Sequence, residues 1–248
     1  MTLYLQELRC RAMQVLAAFV VLFLFFFIYS NELLLYLVKP LSRLLPMHSA
    51  VITTQLTATV LVPLKLAMNA ATICCAPILL FHGWRFVAPG LYLVERQQLR
   101  WVIVASFGLF LLGMIFSFYL MLPWMLSFFV HALPPGVQLM PDMSYAIDFI
   151  TQFLLLLGFS FQIPLICVAV VLMRIVDLTS LILARPYVIV AAFILGMLLT
   201  PPDVMSQIML AIPLWCLYEL GVFFARAIKN KHHDICPTIS GAYRRKPR

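Results

Sequence analysis

Charge is what this sequence has least of. Asp, Glu, Lys and Arg together make 10% of its 248 residues, against roughly a quarter in a soluble domain. Hydrophobic residues make 64%, and the mean hydropathy is +1.04. Such a chain has too few polar residues to cover a globule, which excludes a soluble domain, a disordered chain and a nucleic-acid-binding module. Chemistry-bearing motifs are missing too. There is no glycine-rich phosphate loop, no G-x-S-x-G and no H-E-x-x-H, so neither catalytic residues nor a cofactor is expected. Cys10, Cys74, Cys75, Cys167, Cys216 and Cys236 stand at no metal-ligand spacing and form no disulfide framework. His232-His233 with Cys236 is read as part of a solvated tail rather than a metal site. The apolar runs are continuous, without the ten-residue alternation of a transmembrane barrel strand.

What remains is an all-α membrane protein. A bilayer core about 30 Å thick needs about 20 apolar residues per helix. Charged residues bound four such runs: Arg11 to Glu32, Lys65 to Arg85, Trp101 to about Val130, and Asp148 to Arg174. Two more flank Pro201-Pro202, which cannot continue a helix. From Tyr187 to Thr200 the fifth span is about 21 Å long at 1.5 Å per residue. The sixth begins at Val204 and is interrupted by Glu219. The sequence therefore predicts a six-span helical bundle over residues 1–228, with short fifth and sixth spans. A basic cytoplasmic tail, read as disordered and lipid-associated, occupies 229–248.

The net charge of +8 fixes an orientation. Fourteen of the 17 basic residues fall on one side of the predicted bundle, and only Lys39, Arg43 and Lys65 fall on the other. The positive-inside rule puts both termini in the cytoplasm. The first run is too long for a signal-peptide h-region and is taken as a retained span.

Charges near spans are functional candidates by default. Glu7 stands four residues before Arg11, a spacing that also suits a plain helical ion pair. Glu95 is the sole acid of the loop from Trp84 to Arg96, where Arg96 or Arg100 can solvate or pair it. Asp203 either caps the last helix or does functional work. Glu219 is expected to snorkel or to pair with Arg226 two turns on. With no nucleotide site, any work must draw on a partner or on the membrane gradient.

Glu7-Leu8-Arg9, the Phe-x-Ala-Pro-x-Leu-Tyr-x-x-Glu-Arg loop from Phe86 to Arg96, and Gly196-Met197-Leu198-Leu199-Thr200-Pro201-Pro202-Asp203 together resemble the TatC family. That family supplies the receptor subunit of the twin-arginine protein translocase, and the likeness runs over about residues 4–228. It implies a concave, glove-like bundle in a bacterial inner membrane, a non-enzymatic role, and export of folded proteins driven by the proton gradient. It also implies that Glu7 and Glu95 take part in recognising a signal peptide's paired arginines, since a carboxylate and a guanidinium form two parallel hydrogen bonds. By the same resemblance Arg9 orients Glu7, Phe86 packs on the peptide, and Pro40 shapes the first external loop. The single-span partners TatA and TatB would dock along the fifth span and the start of the sixth, near Asp203 and Gln207, with an oligomer formed with TatB. One residue departs from the family. Gln162, in Phe161-Gln162-Ile163-Pro164, stands where a glutamate is usual; Glu219 either takes over part of that role or the charge is dispensable. A secondary transporter of a small solute or proton, built on Asp203, Glu219 and the proline-broken spans, is the alternative reading.

Overall fold

The structure is a computed structural model, and it describes residues 2–30, 32–34, 57–87, 99–132, 142–173, 175–199 and 203–235. Among these it is almost wholly helical. The elements are α1 (Thr2–Ile28), α2 (Ala58–Val87), α3 (Leu99–Phe116), a π-turn (Ser117–Met121), α4 (Leu122–His131), α5 (Met143–Ser160), α6 (Ile163–Leu172), α7 (Leu178–Leu183), α8 (Arg185–Leu199) and α9 (Val204–Ile235). Five segments are long and apolar enough to cross a bilayer: Arg9–Ile28, Val60–Arg85, Trp101–His131, Met143–Leu172 and Val204–Ile228. Arg185–Leu199 is a shorter apolar helix of 15 residues.

The six expected spans are thus present, and the fifth is short. The sixth is not. Its apolar part is 25 residues long, because α9 runs through both Pro213 and Glu219. It also continues to Ile235, past residue 228, where the tail was expected to begin. Residues 236–248 of that tail lie outside the described residues.

The chain divides into two compact units, residues 1–159 and 160–248. In the first unit α1 packs on α2 and α2 on α3. Val62, Leu66 and Ile147 form a buried cluster, with Leu33, Leu34 and Met143 against it. Phe110, Phe153 and Leu157 are almost completely buried. At Gly158 a Cβ would come within 2.9 Å of the Phe110 ring, so the missing side chain is what lets that ring seat on α5. The third span contains Pro123, which has no N–H to donate. The helix absorbs this through the π-turn, where Leu122 N–H reaches back five residues to the carbonyl of Ser117.

In the second unit α9 packs on α6, α7 and α8. Cys167, Tyr218 and Val222 are its buried cluster, and the Tyr218 hydroxyl donates to the Leu181 carbonyl at 2.7 Å. Gly221 sets the spacing of α9 and α6: a Cβ there would lie 2.9 Å from the Pro164 Cα. Many large apolar side chains are exposed, among them Val21, Leu24, Phe25 and Ile28 on α1. In lipid such a face carries no hydrophobic penalty.

Candidate functional site

Within the first unit, the start of α1 and the end of α2 are held together. Arg11 Nη1 donates to the backbone carbonyl of His82 at 3.0 Å. Glu7 lies one turn before Arg11 on α1, and Phe86 lies one turn after His82 on α2. Arg9 and Arg85 are exposed at the same ends. The side chains of Glu7 and Phe86, and the whole of Glu95 and Pro40, fall outside the described residues. Farther along the same helix pair, the Cys75 thiol lies 3.7 Å from the Val15 carbonyl. Trp84 Nε1 donates to Ser106 Oγ at 3.0 Å and ties α2 to α3.

In the second unit Asp203 caps α9. Its Oδ2 accepts the Ser206 N–H at 2.9 Å, and its Oδ1 accepts the Ser206 hydroxyl. The serine hydroxyl and then the serine N–H hold the carboxyl below the usual aspartate range, against a small opposing effect of burial. Gln207 sits one turn on, half-buried, with its backbone facing Gly196 across the α8–α9 hairpin. A cavity of about 230 Å³ opens on the same hairpin, lined by residues that include Ile189, Ala192, Phe193, Ala211 and Trp215.

Glu219 requires a correction. Its partner is Arg185 at the start of α8, with Nη2 to Oε2 at 2.8 Å, and not Arg226. Two turns along one helix is about 10.5 Å, farther than the neighbouring helix. Gln162 is 3% exposed. It lies in the turn between α5 and α6, where its carbonyl accepts the Ile166 N–H at 2.9 Å. Pro164, at the first turn of α6, has no N–H with which to continue α5 without a break.

One polar cluster was not foreseen. Lys65 Nζ donates to Asp148 Oδ2 at 2.8 Å and to Ser144 Oγ at 2.9 Å, and Asn69 Nδ2 reaches Asp148 Oδ1 at 3.4 Å. Lys65 and Asp148 both served as span boundaries in the sequence. The signal that reveals them is a charge followed at once by further apolar helix on each chain segment. No group of three His, Cys, Asp or Glu side chains suited to a metal occurs among the described residues.

Continuous apolar helices, one short apolar helix before a capped long one, and interhelical pairing of Lys65 with Asp148 and of Arg185 with Glu219 define a multi-pass helical membrane protein. The family model described as TatC, Sec-independent protein translocase protein, matches residues 3–213. The chain is 38% identical over 228 residues to the Sec-independent protein translocase protein TatC of Escherichia coli K12, covering 92% of this chain and 88% of that one. It is 36% identical to the protein of the same name from Haemophilus influenzae, covering 93% and 90%. A solved structure, the crystal structure of the twin arginine translocase receptor TatC, superposes with a TM-score of 0.82 at 27% identity, over 90% of this chain and 98% of that one. The chain belongs to the TatC family. It is a non-enzymatic protein-translocase subunit of the inner membrane.

Proposed function

We propose that this chain binds twin-arginine signal peptides of folded cargo at its cytoplasmic face and gathers single-span TatA and TatB helices for proton-gradient-driven export. The observation that carries the reading is the hydrogen bond from Arg11 to the His82 carbonyl. It joins the helix end that bears Glu7 and Arg9 to the helix end that bears Phe86 and leads toward Glu95. Two carboxylates at such a junction suit two guanidinium groups, and the surrounding arginines repel other cations. Both termini are assigned to the cytoplasm by the basic residues. Residues 229–248 are assigned there as a basic tail. Pro40 is assigned to shaping the first external loop.

The hairpin of α8 and α9 is the proposed docking face for the partner helices. It joins an apolar hollow to a polar residue, Gln207, one turn inside a capped helix start. An interhelical hydrogen bond from such a glutamine is typically worth about 1 kcal/mol or less in a membrane.

The test is crosslinking of a twin-arginine signal peptide to the protein in membranes. Glu7→Ala and Glu95→Ala are each expected to weaken it, and Glu95→Asp to weaken it less. Unchanged crosslinking in both alanine variants would remove the recognition reading. The small-solute transporter reading is not favoured. It needs Asp203 and Glu219 in one midplane site, yet they are sixteen residues apart on α9, about 24 Å at 1.5 Å per residue, and Glu219 is engaged by Arg185.

A further inference from the structure

A cavity of the first unit opens beside the Arg11–His82 junction, and the function proposed above gives it no occupant. It is a groove of about 540 Å³ between α1 and α2, with Phe159 also in its lining. Its walls are apolar, with Val15, Leu16, Phe19, Ala76 and Leu79 among them. One end is different, because there Arg11 and His82 line the mouth. Exposed Arg9 and Arg85 lie within a turn of it. The first 31 residues contain a single acid, Glu7.

The groove is also short. On α1 its lining runs from Arg11 to Phe19, and on α2 from Thr72 to Gly83. These are about 12 Å and about 16 Å of helix at 1.5 Å per residue. That is about half of a 30 Å hydrocarbon core, the depth of one leaflet. A transmembrane partner helix needs the whole thickness and is about 10 Å wide. A lipid acyl chain needs one leaflet, and an anionic headgroup above it complements the arginines.

The geometry points to a binding site for an anionic phospholipid of the inner leaflet, with one acyl chain in the α1–α2 groove and the phosphate at Arg9, Arg11 and Arg85. The assignment of this mouth to the inner leaflet rests on the orientation proposed above. The groove shares its mouth with the proposed recognition junction, and it is tested with no signal peptide present. Failure of the Glu7 and Glu95 experiment therefore leaves this readout intact.

Two glycines supply the variants. A Cβ at Gly83, in the groove wall, would meet nothing within 4 Å, and the same holds at Gly108 on α3, outside the groove. Gly83→Phe fills the groove without a clash at its Cβ, and Gly108→Phe adds the same bulk elsewhere. The purified protein is placed in phosphatidylcholine nanodiscs doped with phosphatidylglycerol carrying a diazirine in its acyl chain. Labelled peptides are then located by mass spectrometry. Labelling of α1 and α2 is expected to exceed that by the matching phosphatidylcholine probe by about fivefold for each arginine within reach. It should be lost in Gly83→Phe, retained in Gly108→Phe, and less selective for phosphatidylglycerol in Arg9→Gln/Arg85→Gln. Equal labelling by both probes would overturn the proposal. So would labelling spread evenly over α1, α2 and α3, or labelling indifferent to Gly83→Phe. Displacement of the probe by added TatA or TatB, at ratios where phosphatidylglycerol in excess does not displace it, would assign the groove to a partner helix and overturn it too.

Discussion

Lys65 and Asp148 form an ion pair at 2.8 Å that joins α2 to α5, each five residues inside the start of its apolar span. Their side chains are 38% and 33% exposed, and Ser144 and Asn69 complete the cluster. Removing one partner leaves a charge at the rim of the hydrocarbon layer. Lys65→Met and Asp148→Leu are each expected to destabilise the protein, and the double variant to lose less than their sum. The coupling should be about 1 kcal/mol, the scale of interhelical polar contacts in membranes. Thermal unfolding of the four proteins in detergent measures it, and zero coupling would show that the pair contributes only as two solvated side chains.

The Arg185–Glu219 pair predicts an unequal response among three arginine and glutamate positions. Glu219→Gln and Arg185→Ala should each lower the stability of the α8–α9 hairpin, by up to about 1 kcal/mol for a pair this exposed. Their effects should be strongly non-additive. Arg226→Ala should show no coupling to Glu219→Gln. Arg185→Lys should recover only part of the loss, because an ammonium lacks the planar fork of donors. A double-mutant cycle on unfolding midpoints separates these outcomes.

Asp203 should make the start of α9 sensitive to acid. Its carboxyl is held below the usual aspartate range by Ser206. A carboxylate with a depressed folded value contributes stability that is fully present above its unfolded value, about 3.9. That contribution disappears as pH falls through the lower folded value. Asp203→Ala should cost about 1 kcal/mol at neutral pH, and Asp203→Asn should retain most of the cap. The difference between wild type and Asp203→Asn should shrink below about pH 4. A difference that stays constant to pH 2 would show that the carboxylate charge is not what stabilises the helix start.

Helix spacing in the second unit depends on Gly221. With a Cβ placed 2.9 Å from the backbone of Pro164 and 3.1 Å from Cys167, Gly221→Ala forces α9 and α6 apart. The expected cost is about 1–3 kcal/mol, typical of overpacking. Gly158→Ala meets a side chain instead, the Phe110 ring, so Phe110→Leu should relieve part of its effect. Gly108→Ala, with open space around it, should be neutral or slightly stabilising, since alanine is the better helix former. Unfolding midpoints of the four variants rank these contacts.

The spans were readable because the bilayer imposes a length that composition alone reveals, and the motifs around Phe86 and Gly196 led to the family. The ends of the spans were less legible. A hydropathy reading treats each charge as the edge of a helix, but Lys65 and Glu219 lie within helices because Asp148 and Arg185 neutralise them from neighbouring helices. The same effect made the sixth span look short, since Glu219 is satisfied and α9 accommodates Pro213. The contact of Arg11 with the His82 carbonyl spans 71 residues, and no local pattern encodes a bond to a distant backbone oxygen. The π-turn ahead of Pro123 was not legible in the sequence.

That π-turn makes the second half of the third span intolerant of an added residue. Before it Phe110 and Ser117 face inward, and after it Leu122 and Met125 do, while Trp124 is 59% exposed to the outside. Deleting one residue between Ser117 and Met121 would restore a plain α-helical turn and keep the phase, whereas inserting one more would rotate the segment from Leu122 to His131 by about 100°. Met125 would swing toward lipid and a different set of side chains would meet the core. A stretch whose greasy composition could absorb many single substitutions is thereby locked in phase, and its vulnerability lies in insertions.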